Sequence, residues 1–200
     1  MARQGHLQKM AGQGGVRIIA GALRGRRLLV PAASSLRPTP GMLRETLFNW
    51  LQVRIQDARC LDLCAGSGAL GFEALSRGAA RATFVERSAQ VAAVIEANAQ
   101  RLGLLAVDVH AGDARLVLER LAARLPQEVY DIVFLDPPFD QPELMTQLVA
   151  VLLEGGLVRP GGFLYVEGPL RSAVPVEPRL QLHRQSHCGR SQGSLYVVDG

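Results

Sequence analysis

Cys60-Leu61-Asp62-Leu63, running into Cys64-Ala65-Gly66-Ser67-Gly68-Ala69-Leu70-Gly71, is the stretch whose reading decides the fold. Its first four residues read as a short buried strand, and Ala69–Arg77 reads as a helix stopped at Gly78. The glycines between them allow a tight turn and a close approach of ligand to backbone, while N–H groups at the helix start favour an anion. The same strand–turn–helix unit recurs downstream. Strands are predicted at Cys60–Leu63, Ala82–Val85, Ala106–His110, Ile132–Leu135 and Phe163–Val166. Helices are predicted at Ala69–Arg77, Ala89–Leu102, Ala114–Leu125 and Glu143–Leu153, with Gly78, Gly103 and Gly155 as C-caps. Leu180–Leu182 and Leu195–Val198 flank a Gly/Ser-rich turn and read as a closing antiparallel hairpin. The alternation predicts an α/β, doubly wound, mostly parallel seven-stranded sheet.

Upstream of this body the chain changes character. Residues 1–15 are Gly/Gln-rich without an apolar core, unlike a secretory signal, and are predicted to be a disordered tail. In residues 16–57, apolar clusters at 18–20 and 28–30 flank Gly21 to Gly25, which predicts a β-hairpin with an Arg/Gly tip. Ser34 to Pro40 reads as a loop. Leu43, Leu47, Trp50 and Leu51 then recur at helical spacing, with Arg44, Glu45 and Asn49 on other faces. The division is therefore tail, extension, and a main domain from 58 to 200.

Composition narrows the class. Two hundred residues, 48% hydrophobic, suffice for one ordinary core with a small appendage. The longest apolar run, near Leu148 to Leu153, is far too short to span a bilayer. Cys60, Cys64 and Cys188 are too few for a disulfide framework, which fits a reducing cytoplasm, and no His cluster accompanies them to hold a metal. Residues 1–59 carry ten Lys/Arg against two acids, a net of +8, whereas the remaining 141 residues carry a net of −4. A basic end on a mildly acidic body is an electrostatic footprint for a polyanion.

Two further motifs carry chemistry. The predicted strand Ile132–Leu135 runs straight into Asp136-Pro137-Pro138-Phe139. Paired prolines cannot continue a ladder, so an acid, a proline carbonyl and an aromatic ring leave the strand end as a stiff loop. In an open α/β sheet that edge is where ligands bind, and two acceptors beside a ring suit a nucleobase amine. A plain loop stiffener is the competing reading. Gly66-x-Gly68-x-x-Gly71 also matches a dinucleotide fingerprint, so NAD is a rival ligand for the glycine turn. Asp62 weighs against it, because a carboxylate at the strand tip repels a pyrophosphate and favours an ammonium and a sulfonium. Glu86, ending the next strand, is placed to accept ribose hydroxyls. Asp113, after the third, is placed to meet an adenine amine or to cap its own helix. Three acids at successive strand ends specify S-adenosylmethionine better than NAD.

These residues resemble the class I S-adenosylmethionine-dependent methyltransferases, with their Rossmann-like fold. More closely, the chain resembles the RsmD family of 16S rRNA guanine-N2 methyltransferases. The resemblance runs from about Arg17 to Val198. It rests on Arg17-Ile-Ile-Ala-Gly21, Arg24-Gly-Arg-Arg-Leu28, Arg37-Pro-Thr39, Arg44-Glu-Thr-Leu-Phe-Asn-Trp-Leu51, the glycine turn, Glu86, Asp136 to Phe139 and Tyr165-Val-Glu167. Gly41-Met42 departs from the Asp-Arg usual in the family. The resemblance implies methyl transfer to a guanine N2 amine of 16S rRNA, within the small ribosomal subunit or its assembly intermediate. Asp136, Pro137 and Phe139 would act on the base, and Asp62, Gly66, Gly68, Glu86 and Asp113 would hold S-adenosylmethionine. Arg17, Arg24, Arg26, Arg27, Arg37 and Arg44 would hold RNA. A cytoplasmic monomer needing no metal is expected. The rivals are an amino-group methyltransferase acting on DNA adenine or a protein amide, a non-catalytic RNA-binding assembly factor, and a nucleotide-dependent oxidoreductase.

Overall fold

A computed structural model of the protein describes residues 15–30, 41–124, 129–139, 141–171 and 177–199. In chain order the elements are α1 (Gly41–Trp50), β1 (Arg59–Leu63), α2 (Ala69–Ser76), β2 (Arg81–Glu86), α3 (Ala89–Leu102), β3 (Val107–Ala111), α4 (Ala114–Ala122), β4 (Tyr130–Leu135), α5 (Pro142–Glu154), β5 (Val158–Pro169), β6 (Leu180–Cys188) and β7 (Ser191–Val198). They build one seven-stranded sheet in the order β3-β2-β1-β4-β5-β7-β6. Pairing is parallel from β3 through β5, and antiparallel between β5 and β7 and between β7 and β6. The chain winds outward from β1 to β3, then returns to place β4 on the other side of β1. The order reverses between β1 and β4, and that crevice is the switch point of a doubly wound sheet.

Residue register decides which side chains share a face. Leu61, Leu63, Val85, Val133, Leu135, Leu164 and Val166 pack with Val117, Leu118 and Leu121 of α4 and with Met145, Leu148, Val149 and Leu152 of α5. The opposite face carries Ile132, Phe134 and Tyr165 under Leu47 and Phe48 of α1 and Leu70 and Ala74 of α2. Beside them, Ala82 and Phe84 lie under Phe72 of α2 and Ile95 and Ala99 of α3. Both faces of the parallel strands are covered, which explains their near-continuous apolar sequences. α3 follows the sequence expectation residue for residue. Ser88 caps its start by accepting the Val91 N–H, and Gly103 ends it in the left-handed region at φ 70°.

Elsewhere the boundaries move. α2 ends at Ser76, with Arg77 as its cap and Gly78 just beyond at φ 104°. β5 starts at Val158 rather than Phe163, with a register shift against β4 and Gly161 at φ 72° absorbing the irregularity. β6 runs nine residues where only Leu180–Leu182 was expected. Its residues are mostly polar and exposed because it is the sheet's edge, so no apolar period marks it.

The N-terminal extension is built into this body. Arg17 bridges Arg27 in a minimal hairpin whose bonds run Ile18 N to Arg26 O, Gly25 N to Ile18 O, and Leu28 N to Val16 O. Ile18 and Leu28 are buried against Phe72, Phe84 and Ile95. Asn98, fully buried on α3, substitutes for a neighbouring strand, accepting the Leu29 N–H at 2.8 Å and donating to the Leu29 carbonyl at 3.0 Å. Glu73 of α2 is also fully buried, and its carboxylate accepts the N–H groups of Ile19 at 2.8 Å and Ala20 at 3.0 Å. Next to it, the Ser76 hydroxyl donates to Ala20 O and accepts from Leu23 N, while Ser76 O accepts from Ala22 N. A Cβ on Gly21, already at φ 82°, would lie 1.8 Å from that carbonyl, so only glycine fits this approach.

Arg44 requires a correction. The resemblance implied that it holds RNA, yet it is 5% exposed. Its guanidinium donates to the Arg17 carbonyl at 2.7 Å and faces Glu73 at 3.8 Å, with Arg77 holding the other side of the same carboxylate at 2.8 Å. Burial lowers the Arg44 pKa, Glu73 opposes that shift, and Arg77 adds to it. Its role is internal. Trp50 is half-buried at the edge of the α1 core.

Candidate active site at the switch point

Leu63 of β1 is in register with Val85 of β2 and Leu135 of β4, and Leu135 with Val166 of β5. One sheet edge therefore carries, in spatial order, Asp113 beyond β3, Glu86, the turn after Leu63, Asp136 and Glu167. The glycine turn and the Asp-Pro-Pro-Phe loop leave adjacent strands at the same level.

The turn is held from inside. Cys64, Gly66 and Gly68 all take positive φ, at 59°, 53° and 73°, and Cys64 does so without a glycine's freedom. Glu86 accepts the Gly66 N–H at 2.9 Å and the Ser88 N–H at 2.8 Å, tying the turn to the end of β2. Asp62, 2% exposed, accepts the Gly71 N–H at 2.9 Å. A Cβ on Gly71 would lie 2.3 Å from the Phe84 ring, so the third glycine lets α2 settle onto the sheet. Burial pushes the Asp62 carboxyl up to about 8, opposed by the Gly71 hydrogen bond and increased by Glu86.

Four acids act on one thiol. The half-buried Cys64 thiol is pushed up to about 12 by burial and then by Glu86, Asp136, Asp62 and Asp113. Acids from four different strand ends thus border one crevice, and the ionised ones give it a negative potential that complements a cationic ligand. Asp113 is exposed and caps α4, one oxygen accepting from Arg115 N and Leu116 N, which leaves its second oxygen available to a ligand. Across the crevice Asp136 is half-buried, Pro137 buried and Phe139 half-buried. The Pro138 carbonyl accepts the Gln141 N–H at 3.1 Å, closing the loop onto α5.

Glu167 was quoted in the Tyr165-Val-Glu167 motif without being assigned to the site. It is 2% exposed, follows Val166 beside Asp136, and accepts the Tyr165 hydroxyl at 3.2 Å. Burial, Glu167 and Asp136 hold the Tyr165 phenol well above its usual range. Glu73 was also missed, though an acid inside the apolar stretch Ala69–Ser76, four residues before Arg77, was a readable signal. Arg17, Arg24, Arg26 and Arg27 are exposed on the hairpin. Arg37 lies outside the described residues. Gly41 and Met42 begin α1 in exposed positions. Among the described residues no group of three or more His, Cys, Asp or Glu is arranged to hold a metal, and no helix is long and apolar enough to cross a membrane.

A carboxylate beneath the glycine turn and an acid–proline corner across from it separate this crevice from a dehydrogenase site, and the chain is a class I S-adenosylmethionine-dependent methyltransferase. A family model described as "Conserved hypothetical protein 95" matches residues 16–197. The chain is 41% identical over 189 residues to Ribosomal RNA small subunit methyltransferase D of Escherichia coli (strain K12), covering 93% of this chain and 91% of that protein. It is 42% identical over 161 residues to the protein of the same name from Haemophilus influenzae, covering 80% and 82%. Among solved structures, a putative methyltransferase yhhF from Escherichia coli superposes with a TM-score of 0.81 at 39% identity, covering 93% of this chain and 99% of that one. The chain belongs to the RsmD family of small-subunit ribosomal RNA methyltransferases.

Proposed function

We propose that this protein transfers a methyl group from S-adenosylmethionine to the exocyclic N2 amine of a guanine in small-subunit ribosomal RNA. The observation that carries the reading is the register of Leu63 with Leu135, which sets the glycine turn and Asp136-Pro137-Pro138-Phe139 side by side at the switch point. The residues present suit the cofactor: Asp62 and Glu86 shape the turn, Gly66 and Gly68 line it, and Asp113 offers a carboxylate oxygen to an adenine amine. Bound there, S-adenosylmethionine supplies a methyl group made electrophilic by its sulfonium.

The amine of guanine is a poor nucleophile because its lone pair is conjugated with the ring. Asp136 and the Pro137 carbonyl accept its two N–H bonds, drawing the nitrogen toward tetrahedral geometry and aiming its lone pair. Positioning and electrostatic complementarity do more here than basicity. Phe139 stacks on the base, a contact worth ~1–3 kcal/mol. The proton released on methylation leaves through Asp136 or water. The exposed arginines of the hairpin favour RNA over a protein amide as substrate. An assembled or assembling small subunit, met by a cytoplasmic monomer, is the natural setting. The test is transfer of radiolabel from S-adenosylmethionine to rRNA from cells lacking this protein, followed by mapping of the modified nucleotide. Label in DNA or protein instead of rRNA overturns the reading.

Asp62 makes a pH-dependent prediction. Its native carboxyl titrates near 8 against 3.8 unfolded. Below pH 4 it is protonated in both states and costs nothing; as pH rises toward 8 the unfolded state ionises first and stability falls. Asp62→Asn keeps an acceptor for the Gly71 N–H and removes this penalty. The ligand-free variant is expected to be more stable than wild type at pH 8, by on the order of a few kcal/mol, with the gap narrowing at pH 5 and closing only below about pH 4. The variant should also gain less stability from added S-adenosylmethionine. A gap independent of pH would show that Asp62 is ionised throughout.

A further inference from the structure

The hairpin arginines lie on the β2 flank of the sheet, where Ile18 and Leu28 pack against Phe72, Phe84 and Ile95. On the other side, Pro178 to Val198 contains Arg179, His183, Arg184, His187 and Arg190 and no acid at all. β7 runs antiparallel to β5 and β6 antiparallel to β7, so the β6–β7 turn lies at the same sheet edge as Asp136 and Glu167. Leu170 N bonds to Arg190 O at 2.7 Å, which joins the end of β5, and with it Arg171, to that turn. Arg171, Arg184, His187 and Arg190 are exposed. Arg81, Arg159 and Arg179 each sit beside an acid (Asp108, Asp131 and Glu177), but none among the described residues pairs with Arg171, Arg184 or Arg190. Glu167, which follows Val166 on this edge, is buried and accepts the Tyr165 hydroxyl. Three strand spacings separate β4 from β6, about 15 Å, within the span of a folded RNA segment.

We propose that Arg171 and Arg190 beside the β6–β7 turn, with Arg184 midway along β6, form a second phosphate-binding surface for the RNA. It grips the substrate on the far side of the target base from the Arg17–Arg27 hairpin. The proposal rests on the rRNA reading above and names where that RNA runs. Charged residues on an edge strand also guard against strand-to-strand aggregation, so the experiment must separate the two roles.

The full-length triple variant R171Q/R184Q/R190Q is compared with wild type for binding of a small-subunit rRNA fragment at several salt concentrations and for methyl transfer at saturating cofactor. The expected result is at least ~10-fold weaker RNA binding near 0.1 M salt, with the slope of log K against log salt reduced by about 2. kcat at saturating RNA and affinity for S-adenosylmethionine should stay within about twofold of wild type. Unchanged affinity and slope, with any loss confined to solubility at high concentration, overturn the proposal. Should the triple variant lose cofactor binding through misfolding, R184Q/R190Q and photocrosslinking of wild type to thiouridine-substituted RNA decide instead. Crosslinks in the peptide 180–190 support the surface, and crosslinks confined to the hairpin overturn it. If wild type labels no RNA, the functional reading itself fails; if wild type labels RNA and the variants behave like it, only this surface does.

Discussion

Asp136→Ala is expected to lower kcat on rRNA by at least ~10²-fold, as expected on losing a group that positions the reacting atom. Affinity for S-adenosylmethionine should change little. The separation follows from the geometry. Asp136 leaves β4, whereas the glycine turn leaves β1 and is held by Asp62 and Glu86. Single-turnover methyl transfer and calorimetric titration of the cofactor measure the two properties independently. Asp136→Asn is the sharper probe, since it keeps the size of the side chain and replaces one accepting oxygen with a donor. Near-wild-type turnover in both variants would remove Asp136 from the chemistry. A parallel loss of cofactor affinity would instead make it part of the cofactor pocket, through the crevice it shares with Cys64.

Glu73→Ala is expected to cost ~3–5 kcal/mol of folding stability, the usual consequence of deleting one partner from a buried ion pair. Against a typical total of ~5–15 kcal/mol, that is a large share. The carboxylate is fully buried and has four partners: two backbone N–H groups of the hairpin, Arg44 and Arg77. Without it, Arg44 stays in the core with the Arg17 carbonyl but no counter-charge. Glu73→Gln should fall in between, since an amide oxygen can still accept from the hairpin. Urea unfolding gives the comparison, and a loss below about 1 kcal/mol would mean the site relaxes enough to let water reach Arg44.

Much of this was legible from the chain alone, for physical reasons that differ from residue to residue. Strands buried on both faces write themselves as apolar runs, and α3 carries both a capping serine and a terminal glycine, so its limits were readable. Acids at strand ends were readable because the βα repeat fixes which residues reach the carboxyl edge. Arg44 was misread because helical spacing separates apolar from polar positions but does not reveal a cation turned inward onto a carboxylate 29 positions away in the chain. β6 was cut short for the opposite reason: an edge strand in contact with water needs no apolar alternation, and its ladder with β7 is made by backbone groups that every sequence possesses.

Beside the buried Ile18 and Leu28 side chains, the polar fastening of the hairpin runs through its main chain. Glu73, Ser76 and Asn98 bond to the amides and carbonyls of residues 19, 20, 23 and 29. The outward side chains of Arg24, Arg26 and Arg27 therefore sit on a mount indifferent to their identity. Evolution, or a protein engineer, can rewrite the side chains this finger displays without loosening its anchorage, while any exchange of α2 must carry the anchoring residues with it.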